Sequence, residues 1–416
     1  MPQQRTITTN QSLTLSELTP HIVSNVQLQI KRNKTKQQSP TLWISGPPGL
    51  GKSEWMEHIC REQGWGLVVV FISQMTIDML SGMPMIKVTD DGDTEKFVPW
   101  STPEIFNFKH NLQVSPASDD SPVVLLLDDA HTAQKSIQNY MFQLLGSKKI
   151  HSHKLPERVA IVLAGNSSDD KAGFQQTLAP IANRMRYIYV DYDVDSWVTN
   201  FAIPNQVRPD IISFLQHSEE CFSSTPLESS SWASPRSWTY ASMELDMLET
   251  IIEGGDLSAN MVDTVMKGCV GPEYAGKFVE YRQLLAKWVS FEILNGTRKV
   301  VLTENDRTSP KDWVISSMNQ VDCYALMSAT IGELLKHLRN NNFKEDKTVS
   351  PMIDIVKDDI IKPLAIKFRA IIPLGLKLLI GEEQSGNKQK VSSPVTRRLL
   401  ADSEVVALIK DIIVIV

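Results

Sequence analysis

Between Ile44 and Trp55 the chain reads SGPPGLGKSE, and residues 46–53 fit the spacing G-x-x-x-x-G-K-[ST]. In Gly46-Pro47-Pro48-Gly49-Leu50-Gly51-Lys52-Ser53 each residue type suits the binding of a phosphate chain. Glycines let backbone N–H groups turn inward and approach phosphate oxygens closely. A helix starting near Gly51 adds its positive end. The Lys52 ammonium would reach the β- and γ-phosphates, and the Ser53 hydroxyl would ligate Mg²⁺. A Gly/Pro-rich turn can match this spacing by chance. The chance match is disfavoured when a strand precedes the loop and a helix follows, and TLWIS and KSEWMEHIC supply both.

Four further motifs could serve the same phosphate. VVLLLDD is a buried strand ending in Asp128 and Asp129. Carboxylates at the C-terminal end of a parallel strand lie where open α/β sheets bind ligands. Asp128 would hold Mg²⁺ through water and Asp129 would orient an attacking water, although either could instead cap a following helix. Asn166, just past VAIVLAG, could hydrogen-bond the attacking water and the γ-phosphate, or could simply make a turn. Arg184 ends a helical segment before RYIYV. There it could reach a neighbouring subunit's phosphates or cap its own helix. Arg236 in SPRSW opens a later helix.

The elements that must position these groups follow from hydrophobic patterning. TLWIS, LVVVFIS, VVLLLDD, VAIVLAGN and RYIYVDYD are short, continuous, β-branched runs separated by helical stretches. That pattern predicts a parallel sheet covered on both faces, a three-layer αβα sandwich. We expect a polar lead-in over 1–40 with a helix near Leu18–Ile30, the α/β nucleotide-binding domain over 41–195, a helical lid over 196–295 and a helical C-terminal region over 296–416. Within the last region, KDWVISSMNQVDCYALMSATIGELLKHL predicts a pair of amphipathic helices, and the apolar ending VALIKDIIVIV predicts burial. EEQSGNKQKVSSP is of low complexity.

Composition narrows the function classes. The 416 residues carry 42 basic and 48 acidic side chains, a net charge of −6, which disfavours a broad nucleic-acid-coating surface. The four cysteines are far apart and match no metal spacing, so they read as reduced thiols of a cytosolic protein. No apolar run is long and uncharged enough for a membrane span, and the polar start lacks a signal region.

The order phosphate loop, LLLDD, LAGN, ANRM, SPRSW resembles the AAA+ ATPases and, within them, the MoxR-like bacterial and phage-encoded branch. SQMTIDMLSGMPMI before KFVPWSTPEIF is similar to the segment carrying that branch's insert in its second helix. DDAHTAQKSIQNYMFQLLGSKKIHSHKLPERVAIVLAGN is similar to its helix and β-hairpin ahead of the sensor strand, and VDYDVDSWVTNFA, RPDIISFLQ and GCVGPEYAGKFVEY to its lid region. The resemblance spans about residues 40–290. It implies that Gly46–Ser53 are Walker A, Asp128 and Asp129 Walker B, Asn166 sensor 1, Arg184 the arginine finger and Arg236 sensor 2. It implies ATP and Mg²⁺ as cofactors, a six-membered ring with ATP between subunits, and a remodelled client, with a von Willebrand factor A-type protein as the family's usual partner. The cytoplasm of a bacterial cell or phage-infected host is the implied location. One departure stands out: most relatives have glutamate where this chain has Asp129, which would slow turnover. Arg186 lies close enough to compete for the finger role. Two rival functions stay open, a nucleic-acid-directed motor or restriction-type NTPase, and a slow nucleotide-gated scaffold.

Other residues carry weaker signals. His151 and His153 in KIHSHKLP alternate as on a strand, but two histidines fall short of the three or four ligands of a metal site. With Lys148, Lys149 and Lys154 they make the hairpin basic, a surface for DNA or acidic peptide or merely a solvated loop. Trp197, Trp232 and Trp238 are expected to pack the lid. TDDGDTEK reads as an acidic hairpin tip without the spacing of a calcium loop.

Overall fold

The computed structural model describes residues 12–85, 100–108, 111–166, 179–224, 231–252, 257–287, 290–340, 349–367 and 402. TDDGDTEK, EEQSGNKQKVSSP and VALIKDIIVIV fall outside them. The chain divides into two compact units, Met1–Tyr192 and Asp193–Val416.

The first unit is built on strands β1 (Thr41–Ser45), β2 (Gly66–Phe71), β3 (Val123–Asp128), β6 (Val159–Gly165) and β7 (Met185–Tyr189), with a two-stranded hairpin, β4 (Lys149–Ile150) and β5 (His153–Lys154), before β6. The five strands predicted from the apolar runs form one sheet in the order β2-β3-β6-β1-β7. All its pairings are parallel. The expected αβα architecture is present. Alternate residues feed two cores: Trp43, Val68, Leu125, Ile161 and Leu163 enter one, and Leu42, Ile44, Val124, Leu126, Val162 and Ala164 the other. Helices α2 (Lys52–Gln63), α3 (Ile77–Ser81), α4 (Lys135–Ser147) and α5 (Ala179–Ala182) complete the unit. Cys60 of α2 is fully buried, and burial, with Glu57 nearby, pushes its thiol up to about 12, which leaves it unreactive.

Helix α1 (Leu15–Lys34) arises in the segment read as a lead-in. A capping box between Thr14 and Glu17 starts it, and Leu18, Ile22 and Val26 are buried in the sheet's second core. Three polar residues at a spacing of four stitch it to the sheet. Asn25 Nδ2 donates to the Pro40 carbonyl at 3.0 Å. Gln29 Nε2 donates to the Ile161 carbonyl at 2.7 Å, and Gln29 Oε1 accepts from the Ile161 N–H at 3.0 Å. Asn33 Nδ2 donates to the Val159 carbonyl at 2.9 Å. Gln29 thereby supplies a buried strand with hydrogen bonds one residue before the β1–β6 pairing begins at Leu42 and Val162.

The second unit is helical, with α6 (Val194–Trp197), α7 (Pro209–His217), α8 (Pro235–Ile251), α9 (Ala259–Val270), α10 (Pro272–Lys287), α11 (Ser290–Leu294), α12 (Gln320–Asn340), α13 (Val349–Ile355) and α14 (Lys362–Lys367), and with a small parallel pair, β8 (Val300–Val301) and β9 (Trp313–Val314). The expected helix pair after Lys311 is instead β9, a short 3₁₀ turn and the single helix α12. Trp238 lies fully buried beside Phe214 and Phe278, and its Nε1 donates to the Cys221 carbonyl at 3.0 Å. Trp197 packs on Phe222. No described helix is long and apolar enough to cross a membrane.

An ion-pair cluster ties α7 to α8. Arg208 contacts Asp210 at 3.1 Å, Asp246 at 2.8 Å and Glu249 at 2.6 Å, and Arg282 of α10 lies 3.6 Å from Asp210. Burial raises the Asp210 carboxyl, but the charges of Arg208 and Arg282 and the hydrogen bonds from Arg208 and the Ile211 N–H outweigh it and hold the group below the usual carboxylate range. A carboxyl depressed in the folded state stabilises the fold above its unfolded pKa, and that contribution is lost as pH falls through the folded value. Arg208→Ala strips Asp210, largely shielded from solvent, of its main counter-charge. We expect it to destabilise the second unit by about 3–5 kcal/mol, and chemical denaturation checks this.

Candidate nucleotide site

Strand register decides which loops meet. Ser45 pairs with Gly165 at the ends of β1 and β6, and Phe71 pairs with Asp128 at the ends of β2 and β3. Because β6 runs between β1 and β3, the phosphate loop, Asp128, Asp129 and Asn166 all emerge at the carboxyl edge of the sheet.

Gly46–Gly51 links β1 to α2. Gly49 and Gly51 have φ of 74° and 95°, the left-handed region that suits glycine. A Cβ on Gly46 would lie 2.3 Å from the Val190 carbonyl oxygen, so only glycine fits this close approach. The loop is also latched from β7's exit, where the Tyr192 hydroxyl donates to the Pro48 carbonyl at 2.6 Å.

Lys52 and Ser53 open α2. Lys52 Nζ donates to the carbonyls of Gly46 at 2.9 Å and Pro47 at 2.8 Å and stands 3.4 Å from Asn166 Oδ1. The Ser53 hydroxyl donates to Asp128 Oδ2. Asp128 is 7% exposed, and its Oδ1 accepts the Asp129 N–H at 2.9 Å. A buried carboxylate against a hydroxyl is a hard oxygen donor pair of the kind Mg²⁺ takes while keeping several waters. These residues therefore fit that ion.

Asp129 has φ 52°, a left-handed conformation that disfavours a non-glycine residue by about 1–2 kcal/mol. Thr132 holds it there, because its Oγ1 and N–H both donate to the Asp129 carbonyl, at 2.7 and 2.9 Å. The Asp129 carboxylate accepts from Ser73 Oγ at 3.5 Å, just past β2. Asn166 N–H donates to His131 Nδ1 at 3.1 Å. Sequence reasoning missed Ser73, His131 and Tyr192. The DDAH run placed His131 within two residues of Asp129 and was a usable signal. Neither Ser73 nor Tyr192 carried one.

The two arginines lie elsewhere. Arg184 precedes β7, and Thr41, the first residue of β1, donates its N–H to the Arg184 carbonyl at 3.0 Å. Arg184 is thus at the amino edge of the sheet, opposite the phosphate loop of its own chain. Its guanidinium lies 4.2 Å from the Phe142 ring centroid, Nη1 donates to the Pro180 carbonyl at 2.8 Å, and Nε is buried without a hydrogen-bond partner. Arg186 is exposed and contacts His21 Nδ1 at 3.1 Å. Arg236 belongs to the second unit and is exposed in the first turn of α8, behind the Ser234–Ser237 capping box and Pro235.

The hairpin histidines do not share a strand face. His151 sits in the turn at φ 50° and stacks on Trp100 at 4.4 Å between centroids. His153 Nε2 contacts the Trp100 carbonyl at 3.1 Å. Lys148 caps α4 and donates to Gln29 Oε1 at 2.7 Å, and burial pushes its ammonium down to about 8. Lys149 and Lys154 are the exposed cations of this hairpin.

Residues 41–178 match the family AAA domain (dynein-related subfamily). Among solved structures, the chain is similar to a point mutant of Thermotoga maritima RuvB, with 14% identity over 68% of this chain and 82% of that one and a TM-score of 0.35. It is also similar to the Thermotoga maritima RuvB Holliday junction branch migration motor, with 12% identity over 68% and 82% and a TM-score of 0.29. A third is a protein named as a candidate ATPase from Cytophaga hutchinsonii, with 13% identity over 62% and 79% and a TM-score of 0.28. No curated protein matches the chain.

Proposed function

We propose that this chain, an ATPase built on an AAA domain at residues 41–178, is of the MoxR-like branch and hydrolyses ATP with Mg²⁺ at the subunit interfaces of a six-membered ring to remodel a partner protein. The observation that carries the hydrolytic part is the meeting of Lys52 and Ser53 with Asn166 and Asp128, which bring three strands' loops to one point. Backbone N–H groups of Gly49, Leu50 and Gly51 and the α2 N-terminus bind the phosphates, and Lys52 exchanges its loop carbonyls for β- and γ-phosphate oxygens. Ser53 and Asp128 would hold Mg²⁺, which when bound neutralises charge developing on the transferring phosphoryl group. Asp129 accepts a proton from the attacking water, and Asn166 orients that water against the γ-phosphate. Arg184 serves the neighbouring subunit, and Arg236 takes the sensor 2 role on the strength of the SPRSW motif.

The protein-remodelling reading is favoured over a nucleic-acid motor by the hairpin. Of its five basic groups, Lys148, His151 and His153 are engaged within the fold, which leaves two exposed lysines, too few for a phosphate-tracking surface. A von Willebrand factor A-type protein is the client class we propose on the strength of the MoxR-like motifs.

Asp129→Asn tests the hydrolytic assignment. The amide keeps the shape but cannot take the water's proton. ATP affinity should hold while turnover falls, by about 10²-fold or more for a lost general base. Phosphate-release rates measured beside ATP-analogue binding check this, and unchanged turnover removes Asp129 from the mechanism. ATPase rates measured with single-stranded DNA, duplex DNA and a von Willebrand factor A-type protein separate the remodelling function from the motor.

A further inference from the structure

We propose that His131 is a positioning residue that locks Asn166 to the Asp129 turn, an inference that rests on the ATPase reading for its kinetic consequence but not for its geometry. His131 is 3% exposed and lies two residues beyond Asp129 in the turn that Thr132 braces. Its Nδ1 accepts the backbone N–H of Asn166 at 3.1 Å. An acceptor nitrogen carries no proton, so the imidazole is the Nε2–H tautomer. The ring is pressed onto β6: a Cβ on Gly165 would lie 3.0 Å from Nδ1 and 3.2 Å from the His131 backbone nitrogen. Gly165 thus lets the ring reach the one backbone N–H that sets where Asn166 leaves the strand.

The consequence is a single brace across the site. Asn166 Oδ1 faces Lys52 Nζ at 3.4 Å, and the Asp129 carboxylate hangs from the other end of the His131 turn. The orientation of the side-chain amide and that of the carboxylate are therefore not independent. Displacing one displaces the other, and near-attack geometry is sensitive to shifts of about 1 Å. His131 touches no reacting atom in this scheme; it acts through Asn166.

Two substitutions separate positioning from packing. His131→Phe keeps the ring's bulk but offers no acceptor to the Asn166 N–H. His131→Asn places Oδ1 near the position of Nδ1. For the full chain we expect His131→Phe to lower kcat on the order of 10- to 100-fold with KM and ATP-analogue affinity unchanged, and His131→Asn to restore kcat. Selective ¹⁵N-histidine labelling of the unsubstituted chain, assigned by the resonances lost in His131→Asn, should show an unprotonated Nδ1. A protonated Nδ1 overturns the proposal, as does wild-type kcat in His131→Phe or a lost kcat in a folded His131→Asn. If His131→Phe fails to fold, the tautomer and the His131→Asn kinetics decide alone. If the unsubstituted chain binds and hydrolyses no nucleotide, the ATPase reading falls, and the tautomer with the hydrogen-exchange protection of the Asn166 amide decides the contact.

Discussion

Lys52→Ala is expected to remove nearly all nucleotide affinity while leaving the fold intact. The side chain is held by hydrogen bonds to two carbonyls of its own loop, Gly46 and Pro47, and it opens α2 from a partly buried position. Its loss returns those carbonyls to solvent and exposes no core. The loop stays anchored by the Tyr192 hydroxyl on Pro48 and by the contact of Gly46 with Val190. What disappears is one ammonium serving two phosphates. Hydrogen bonds to charged groups contribute about 1.5–3 kcal/mol each, so two amount to about 3–6 kcal/mol, or roughly 10²–10⁴-fold in affinity. Titration with a fluorescent ATP analogue, beside a thermal melt, reads both halves of this expectation. Unchanged affinity removes residues 46–53 as the phosphate site. A collapsed melting temperature means instead that Lys52 is a structural tie of the loop.

The strands were legible as short apolar runs, most clearly β3 and β6, which are buried along their whole length on both faces. The phosphate loop and Asp128 were legible because their chemistry requires particular residue types at fixed spacings. What could not be read is what depends on strand order. Only with β6 between β1 and β3 do Asn166 and Asp128 converge on Lys52 and Ser53. Asn25, Gln29 and Asn33 passed as solvated residues of a lead-in because a polar side chain bonding strand backbone has the same sequence signature as one bonding water. Their clue was position: at helical spacing they continue the stripe of Leu18, Ile22 and Val26 on the same buried face. His151 was misread for a related reason: a two-residue strand and a turn keep no period, so alternation over KIHSH carried no information on facing.

Arg184→Ala is expected to bind ATP nearly as the unsubstituted chain does and to lose turnover by about 10³-fold or more, the share an arginine finger supplies. The register of β7 on β1 is the reason we propose that this role acts in trans. Met185 is level with Thr41, and the phosphate loop begins only after Ser45, level with Tyr189. Five residues of strand at about 3.3 Å each separate Arg184 from the loop by roughly 16 Å along the sheet. An arginine at the opposite edge cannot reach the phosphates of its own chain, so any phosphate it touches belongs to another copy. Its guanidinium lies over the Phe142 ring with Nη1 donating to the Pro180 carbonyl and Nε buried and unpartnered, which fixes its forked donor set. Mixing Arg184→Ala with Lys52→Ala is the decisive measurement. A mixed ring can set the intact Lys52 pocket of an Arg184→Ala subunit against the intact Arg184 of a Lys52→Ala subunit, and ATPase activity absent from either variant alone should return in part. If native mass spectrometry shows mixed rings and no activity returns, Arg184 is not the finger. Arg186, exposed on β7 beside His21 of α1, then takes its place. If no oligomer forms with ATP at any concentration, no neighbour exists to supply the charge. Residues 46–53 then bind nucleotide in a chain that turns it over slowly, with Asp129 alone to activate the water.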